Sequence, residues 1–176
     1  MAEFIISFCK TIDNEGGYSN DPDDPGGETF KGIARKMNGK WDGWPIIDML
    51  KLQPGFPTNA DSDPELREKV GMFYLNSFWN KIAGDEIQNQ QIANSIFDFA
   101  VNAGVGTSAM LAQKVVGVNA DGVIGCESLK AINSFNPDHF NAAFTVAKID
   151  RYVSIVKKRP LSKKYFFGWV IRAISY

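Results

Sequence analysis

The sequence predicts a mostly α protein with one small, irregular β-hairpin. Three observations carry that reading. Apolar residues recur at helical spacing through segment after segment. Strand-like positions are confined to one turn-rich stretch, 17–34, where Tyr18, Phe30, Ile33 and Ala34 stand among Pro, Gly, Asn and Asp. No internal repeat or low-complexity linker interrupts the pattern.

The elements follow in order. Phe4, Ile5, Phe8 and Ile12 fall on one helical stripe, so a helix runs over about residues 2–14 and Gly16-Gly17 ends it. Cys9, inside that stripe, reads as a buried small hydrophobe. Residues 17–34 form the hairpin, carrying Asp24 and Thr29 beside Glu15. Residues 35–62 are loop-rich around Trp41, Trp44 and Phe56, with a short helix near 45–51. Asp63-Pro64-Glu65 is a helix start: a capping acid, proline at the first position, an acid in the first turn. That helix carries Leu66, Val70, Phe73 and Ser77 on one stripe, with Tyr74 and Phe78 adjoining.

Ile92, Ile96, Phe99 and Ala103 mark the next helix, closed by Gly104 and Gly106, and Thr107 caps another through Met110, Leu111 and Val115. Asp121-Gly122 makes a tight turn before a short helix through Leu129 and Ile132. Asn136-Pro137 opens a long helix with Phe140, Phe144, Ala147 and Tyr152, which stops before Pro160. Ser162 opens the last, through Phe166, Val170 and Ile174. The best lobe boundary is Gln88-Asn89-Gln90-Gln91, giving regions 1–90 and 91–176 packed as one compact unit.

Composition narrows the function classes. At 176 residues, 44% hydrophobic and 12% aromatic, the chain can bury a sizeable core. A net charge of −1 supplies no global field toward nucleic acid or an anionic membrane. Lys157, Lys158, Arg159, Lys163, Lys164 and Arg172 nevertheless make the C-terminal segment basic, either as a solvated helix face or as an attraction to an anionic polymer. Cys9 and Cys126 make no disulfide framework and have no metal-ligand spacing. The single histidine, His139, sits at a helix start and reads as a surface residue, which leaves no Ser-His-Asp or Cys-His machinery. Met1-Ala2-Glu3-Phe4 lacks the positive n-region of a signal peptide, and no stretch approaches the roughly 20 apolar residues that span a bilayer.

The chemistry concentrates in Glu15-Gly16-Gly17-Tyr18, followed by Asp24 nine residues past the glutamate, Gly26-Gly27-Glu28 and Thr29. Glu15 closes an apolar helix, where the negative end of the helix dipole disfavours a carboxylate charge. Glycosidic bonds are commonly hydrolysed by two acids, one protonating the leaving oxygen and one staying ionised to activate water or stabilise positive charge. Gly26 and Gly27 allow close approach of backbone to an extended polar ligand. A calcium loop starting at Asp21 fails, because it would place Pro25 at position five and Gly32 where the bidentate glutamate belongs. Tyr18, Trp41, Trp44, Tyr74 and Trp79 could stack on sugars, although buried core is the default for all but Tyr18, which lies inside the motif.

The run from Glu15 to Ile33 resembles glycoside hydrolase family 108, the lysozyme-like N-acetylmuramidases, whose opening pattern is E-G-G-Y, then D-P-G-G-x-T, then G-I. The order Glu, Asp, Thr is also similar to the catalytic trio of phage-type lysozymes. Downstream, Asn94–Gly104 and Asp121-Gly122-Val123-Ile124-Gly125 resemble the peptidoglycan-binding region that follows in this family, and Gly168-Trp169-Val170-Ile171-Arg172 its closing motif. The resemblance implies a lysozyme-like fold with the hairpin at the active site. It implies a cofactor-free, metal-free hydrolase of the β-1,4 bond between N-acetylmuramic acid and N-acetylglucosamine, of the phage or prophage endolysin type. Glu15 would be the general acid, with Asp24 and Thr29 handling water. Tyr18, Gly26, Gly27, Asp98 and Asn102 would meet substrate, the last two with Asp121 in glycan or structural contacts. The partners expected are peptidoglycan glycan strands, with no nucleic acid, no membrane insertion and a monomeric state. Synthesis in the cytoplasm without a signal peptide would require a separate release to reach the wall. A lytic transglycosylase using Glu15 alone, and a non-catalytic wall-binding or secretion-associated protein, are the alternatives.

Overall fold

The structure, a computed structural model, describes residues 1–12, 15–21 and 27–175. Among these it has nine α-helices and a three-stranded antiparallel sheet, which is the mostly α class that the periodicity predicts. The chain divides into two compact units, one of Phe8–Ser77 and one of Met1–Ser7 with Phe78–Tyr176.

In the smaller unit, β1 (Tyr18–Asn20), β2 (Glu28–Phe30) and β3 (Ile33–Ala34) form a meander in that order. Tyr18 pairs with Phe30, Ser19 with Thr29 and Asn20 with Glu28, while Thr29 also faces Ala34. The single hairpin expected from the sequence therefore acquires a second. Its two-residue turn is Lys31-Gly32, with φ of +46° and +76°. Positive φ at both central positions is the type I′ geometry, whose twist matches that of the flanking strands.

Helix α2 (Trp44–Leu50) is the short helix expected near 45–51. Helix α3 (Thr58–Ser62) was not foreseen in that loop-rich stretch. Helix α4 (Pro64–Tyr74) starts as its sequence predicts, with Asp63 accepting the Leu66 N–H at 2.9 Å. It gives way to a π-helical turn over Leu75–Trp79. The buried stripe is Leu66, Val70 and Tyr74, an i, i+4 row, and Phe73 and Ser77 are only half-buried. In place of Phe73, Tyr74 takes the buried position with its hydroxyl satisfied by the Lys31 carbonyl, and Ser77 falls in the π turn, off the row. Phe30, Ile33, Trp44 and Ile47 complete this core, with Trp41 stacked on Phe30 and edge-on to Trp44 and Phe73.

The larger unit is helical. Helix α5 (Gln90–Ala103) is capped by Asn89, whose side chain accepts from the N–H groups of Gln91 and Ile92. Every residue from Ile92 to Ala100 is buried, not only one stripe, and both α6 (Val105–Val116) and α8 (Pro137–Lys158) pack on it. Gly104, at φ +91° and ψ 147°, ends α5 and starts α6. That conformation is essentially reserved for glycine. Thr107, expected as the cap of α6, lies instead within its first turn. Helix α7 (Cys126–Ser134) follows the Asp121-Gly122 turn, and α9 (Lys163–Ile174) packs along α8.

The first residues of the chain belong to this unit. The Ala2 N–H bonds to the Ile87 carbonyl at 2.8 Å, and Ser7 donates to Asn94 Oδ1 at 2.6 Å. Phe4 packs edge-on against Trp79 and Phe97. In α1 (Phe4–Ile12) the fully buried side chains are Ser7 and Thr11, while Ile5 and Ile6 are exposed. Cys9, expected to be buried, is exposed, because it lies about 200° around the helix from Ser7 and from Thr11. Cys126 is exposed too, and both are free thiols.

Polar groups also enter the helical core. Asp98, 2% exposed, receives Arg172 through Nε and Nη2 at 3.1 and 2.8 Å. Lys148, 1% exposed, stands in the row Phe140–Phe144–Lys148–Tyr152, where the sequence suggested Ala147, and donates to the Ala173 carbonyl at 3.1 Å. Arg172→Ala leaves the Asp98 carboxylate buried without its ion pair and is expected to cost about 3–5 kcal/mol in chemical unfolding. A loss below about 1 kcal/mol, the scale of an exposed ion pair, would contradict this reading of the pair. A chain ending at Gln91 loses Asn94, Phe97 and the rest of α5, against which Met1–Ser7 and Trp79 pack. It is expected to show no cooperative melt.

Candidate active site

The local geometry starts at the end of α1. The Glu15 N–H bonds back to the Ile12 carbonyl at 3.0 Å, so Glu15 sits just past the helix C-terminus, as its sequence suggests. Its carboxylate reaches the type I′ turn. A Cβ placed on Gly32 would lie 2.7 Å from Glu15 Oε2 and 2.7 Å from the Tyr74 hydroxyl oxygen. Both groups therefore rest on bare backbone that any side chain at position 32 would displace. Tyr74 is buried, and its hydroxyl donates to the Lys31 carbonyl at 2.7 Å.

Glu15 opens onto a cleft of about 430 Å³. Phe8, Ile12, Phe30 and Val70 supply its apolar wall, and Glu15, Asp61, Lys31 and Arg67 its charges. Lys31 Nζ lies 3.3 Å from Asp61 Oδ1, and Arg67 Nε donates to the Asp61 carbonyl at 3.3 Å. Gly17 allows this arrangement, since a Cβ there would stand 3.3 Å from Asp61 Oδ2. A cleft with one apolar wall and a few convergent charges is the usual form of a site for a polar ligand with apolar ring faces.

The other residues singled out by the sequence are placed as follows. Asp24 and Gly26 lie outside the described residues. Thr29 is half-buried in the middle of β2, and the cleft takes its neighbours Phe30 and Lys31 from the hairpin, not Thr29 itself. Gly27 has φ +66° and lies close to the Lys36 side chain. Tyr18 packs edge-on against Phe56 at 4.6 Å, with Lys51 Nζ 5.4 Å over its ring. Asp98 is held by Arg172 in the core of the helical unit, a structural contact. Asn102 is exposed and accepts a hydrogen bond from the Tyr152 hydroxyl at 3.1 Å. Burial, then the Asp98 charge, pushes that phenol up to about 12. Asp121 accepts from Gln113 Nε2 at 2.8 Å and from the Val123 N–H at 2.9 Å, so it organises its own turn. Trp44, Tyr74 and Trp79 are core residues.

Sequence reasoning missed Asp61, Arg67 and Lys31 as walls of this site. Gly32 carried a signal, since it stands in the motif just before Ile33. Asp61 carried none, because it arrives on α3 from a stretch with no periodicity.

The Glu28 end of β2 is tied to α2 by an ionic network. Arg35 reaches Glu28 at 2.9 Å and both oxygens of Asp48 at 2.7 and 2.6 Å, and Lys51 pairs with Glu28 and, at 3.4 Å, with Asp48. Burial pulls the Glu28 carboxyl upward, but hydrogen bonds from Lys51 and Arg35 outweigh it and hold the group below its usual range. Hydrogen bonds from Arg35 bring Asp48 down to about 2. Burial raises the Tyr18 phenol beside them.

Among known proteins, residues 8–104 match the family described as Glycosyl hydrolase 108, and residues 107–174 match the Predicted Peptidoglycan domain. The structure of Brucella abortus SagA is similar over 98% of this chain and 90% of that one, with a TM-score of 0.70 and 26% identity. The likeness agrees with a lysozyme-like, mostly α fold. No curated protein sequence matches the chain. The family matches part at 104–107, whereas the compact units part at Ser77 and Phe78.

The network makes a pH prediction with a definite sign. Asp48 is held below its unfolded value, so its stabilising contribution is full above about pH 4 and is lost as the pH falls toward 2. Arg35→Ala removes the hydrogen bonds responsible. Side-chain NMR of Asp48 should then titrate near the ordinary carboxylate value of about 3.9. A midpoint still near 2 in the variant would assign the depression to another group.

Proposed function

Because the chain belongs to the glycosyl hydrolase 108 family, we propose that it cleaves the β-1,4 bond between N-acetylmuramic acid and N-acetylglucosamine, with Glu15 as the proton donor. It is a glycoside hydrolase, and its second half matches a peptidoglycan domain, so peptidoglycan is its substrate class. The observation that carries the residue assignment is the position of the Glu15 carboxyl. It projects from a helix end onto the bare Gly32 backbone, at the mouth of a cleft with an apolar wall.

In this reading the glycan lies along the cleft and Glu15 protonates the glycosidic oxygen as the bond lengthens. Positive charge then develops at the anomeric carbon. Asp24, nine residues on in the motif and assisted by Thr29, directs water to that carbon from the opposite face, giving inversion. Gly26 and Gly27 are assigned to substrate contact by their place in the motif, and Lys31 and Arg67 meet the carboxylates of the strand. The enzyme acts as a monomer on the wall, after release by a separate membrane-permeabilising route of the endolysin type.

A second reading exchanges the water-directing acid. Asp61 lines the same cleft as Glu15, and its Oδ1 is shielded from solvent. Lys31 Nζ lies 3.3 Å from that oxygen. The two readings part on a pair of variants.

Glu15→Gln is expected to stay folded and lose roughly 10²–10⁴-fold of its wall-lytic rate, since the amide is nearly isosteric but has no acidic proton. Lysis within about threefold of wild type, some 0.65 kcal/mol of barrier, would remove Glu15 from the mechanism. Asp24→Asn should lose about 10²-fold or more and Asp61→Asn less than about tenfold, and the reverse ranking selects Asp61. NMR of the first-formed anomer tests inversion. Mass spectrometry tests hydrolysis itself, since a lytic transglycosylase would release a product lighter by one water.

A further inference from the structure

We propose that the tip of the α8–α9 hairpin and the outward face of α9 dock on the surface of an anionic phospholipid bilayer. The proposal is independent of the hydrolase mechanism and concerns where the enzyme is held.

The surface joins two features. The first is charge. Lys157 and Lys158 end α8, Arg159 follows, and Lys163 and Lys164 open α9 after the turn Pro160–Ser162. All five side chains are exposed. No aspartate or glutamate occurs from residue 151 to 176, so nothing on this segment offsets them, although the whole chain carries a net charge of only −1. Attraction to a negative surface would therefore be local and would orient the protein.

The second feature is exposed apolar area on the same hairpin. In α9 the inward face carries Ala173, with Phe166 and Trp169 half-buried. Trp169 is fixed by stacking on Tyr152 at 5.2 Å and on Tyr165 at 6.0 Å. The opposite face carries Phe167, Ile171 and Ile174, at i, i+4 and i+7, with 76%, 48% and 62% exposure. Leu161, in the turn between the helices, is 91% exposed. On the helical wheel Lys163 and Lys164 border this apolar face.

The combination selects the partner. A hydrophilic wall polymer offers phosphates or carboxylates for the lysines but nothing for four apolar side chains. The interface of a bilayer offers both, phosphate oxygens to the cations and the acyl boundary to Leu161, Phe167, Ile171 and Ile174. The contact would be peripheral, as no helix among the described residues is long and apolar enough to cross a membrane.

The test is co-sedimentation of the full chain with vesicles of phosphatidylcholine alone and of phosphatidylcholine with roughly one quarter phosphatidylglycerol. The expected result is binding about tenfold or more tighter to the anionic vesicles, weakened by salt. Phe167→Ser/Ile171→Ser and Lys157→Glu/Lys158→Glu should each weaken it by about tenfold, with hydrolysis of soluble glycan fragments unchanged. Leu161→Ser, at a side chain that is almost fully exposed, should weaken binding in the same direction and keeps the test decisive if the double serine variant misfolds. Equal binding to both vesicle types, or none, would overturn the proposal. So would serine variants that bind as wild type. Retention on lipid-free peptidoglycan sacculi that disappears in the Phe167→Ser/Ile171→Ser protein would assign the face to the wall polymer instead.

Discussion

The hydrogen bond from the buried Tyr74 hydroxyl to the Lys31 carbonyl is the contact on which the site depends. It ties the last residue of α4 to the first residue of a type I′ turn, across 43 positions of sequence. A phenol inside a core needs a partner, because leaving it unsatisfied costs about 1–3 kcal/mol. A two-residue hairpin turn leaves carbonyls that point away from the strand ladder. Each supplies what the other lacks. With the turn held, Gly32 presents bare backbone to the Glu15 carboxylate, and the Lys31 side chain leaves toward Asp61.

Two parts of the hairpin region are held by different physics. The side toward α4 is apolar and aromatic, through Phe30, Trp41, Phe73 and Tyr74. The part toward α2 is ionic, through Glu28, Arg35, Asp48 and Lys51. Arg35 is the keystone there, because its planar fork takes both Asp48 oxygens while still reaching Glu28. Glu28 is partly desolvated at this edge, and hydrogen bonds from Lys51, Arg35 and Tyr18 favour its ionised form. Glycines in the motif serve the same packing. At Gly17 and Gly32 a methyl group would meet carboxylate oxygens.

The helical unit follows another rule. Its core admits Asp98, Lys148, Gln113 and Ser108, each with a partner fixed by geometry. Gln113 bonds at once to Asp121, Val123, Ser128 and the Gly122 N–H, so one buried amide shapes the whole turn before α7. Such networks are stable only when complete, which makes residue identity matter at positions that periodicity would fill with any aliphatic side chain.

The sequence by itself determined the mostly α class, most helix starts and the motif. These are local properties: the Asp63-Pro64 start, the Asn136-Pro137 start and the Gly104 break depend on backbone groups within a few residues. Glu15 was legible for the same reason, at a helix end marked by Gly-Gly. Burial was less legible. Periodicity shows that α1 has an apolar stripe, but the buried positions are Ser7 and Thr11, and the partner of Ser7, Asn94, lies 87 residues away. Lys148 was unreadable as a core residue, since its acceptor is the Ala173 carbonyl on another helix. Asp98 was readable as polar but not as buried, because Arg172 lies 74 residues away. Only the tertiary structure decided which charges share the cleft. Asp61 and Arg67 reach Glu15 through the packing of α3 and α4 beside the hairpin, and no local rule of spacing or capping records a contact made by folding the chain back on itself.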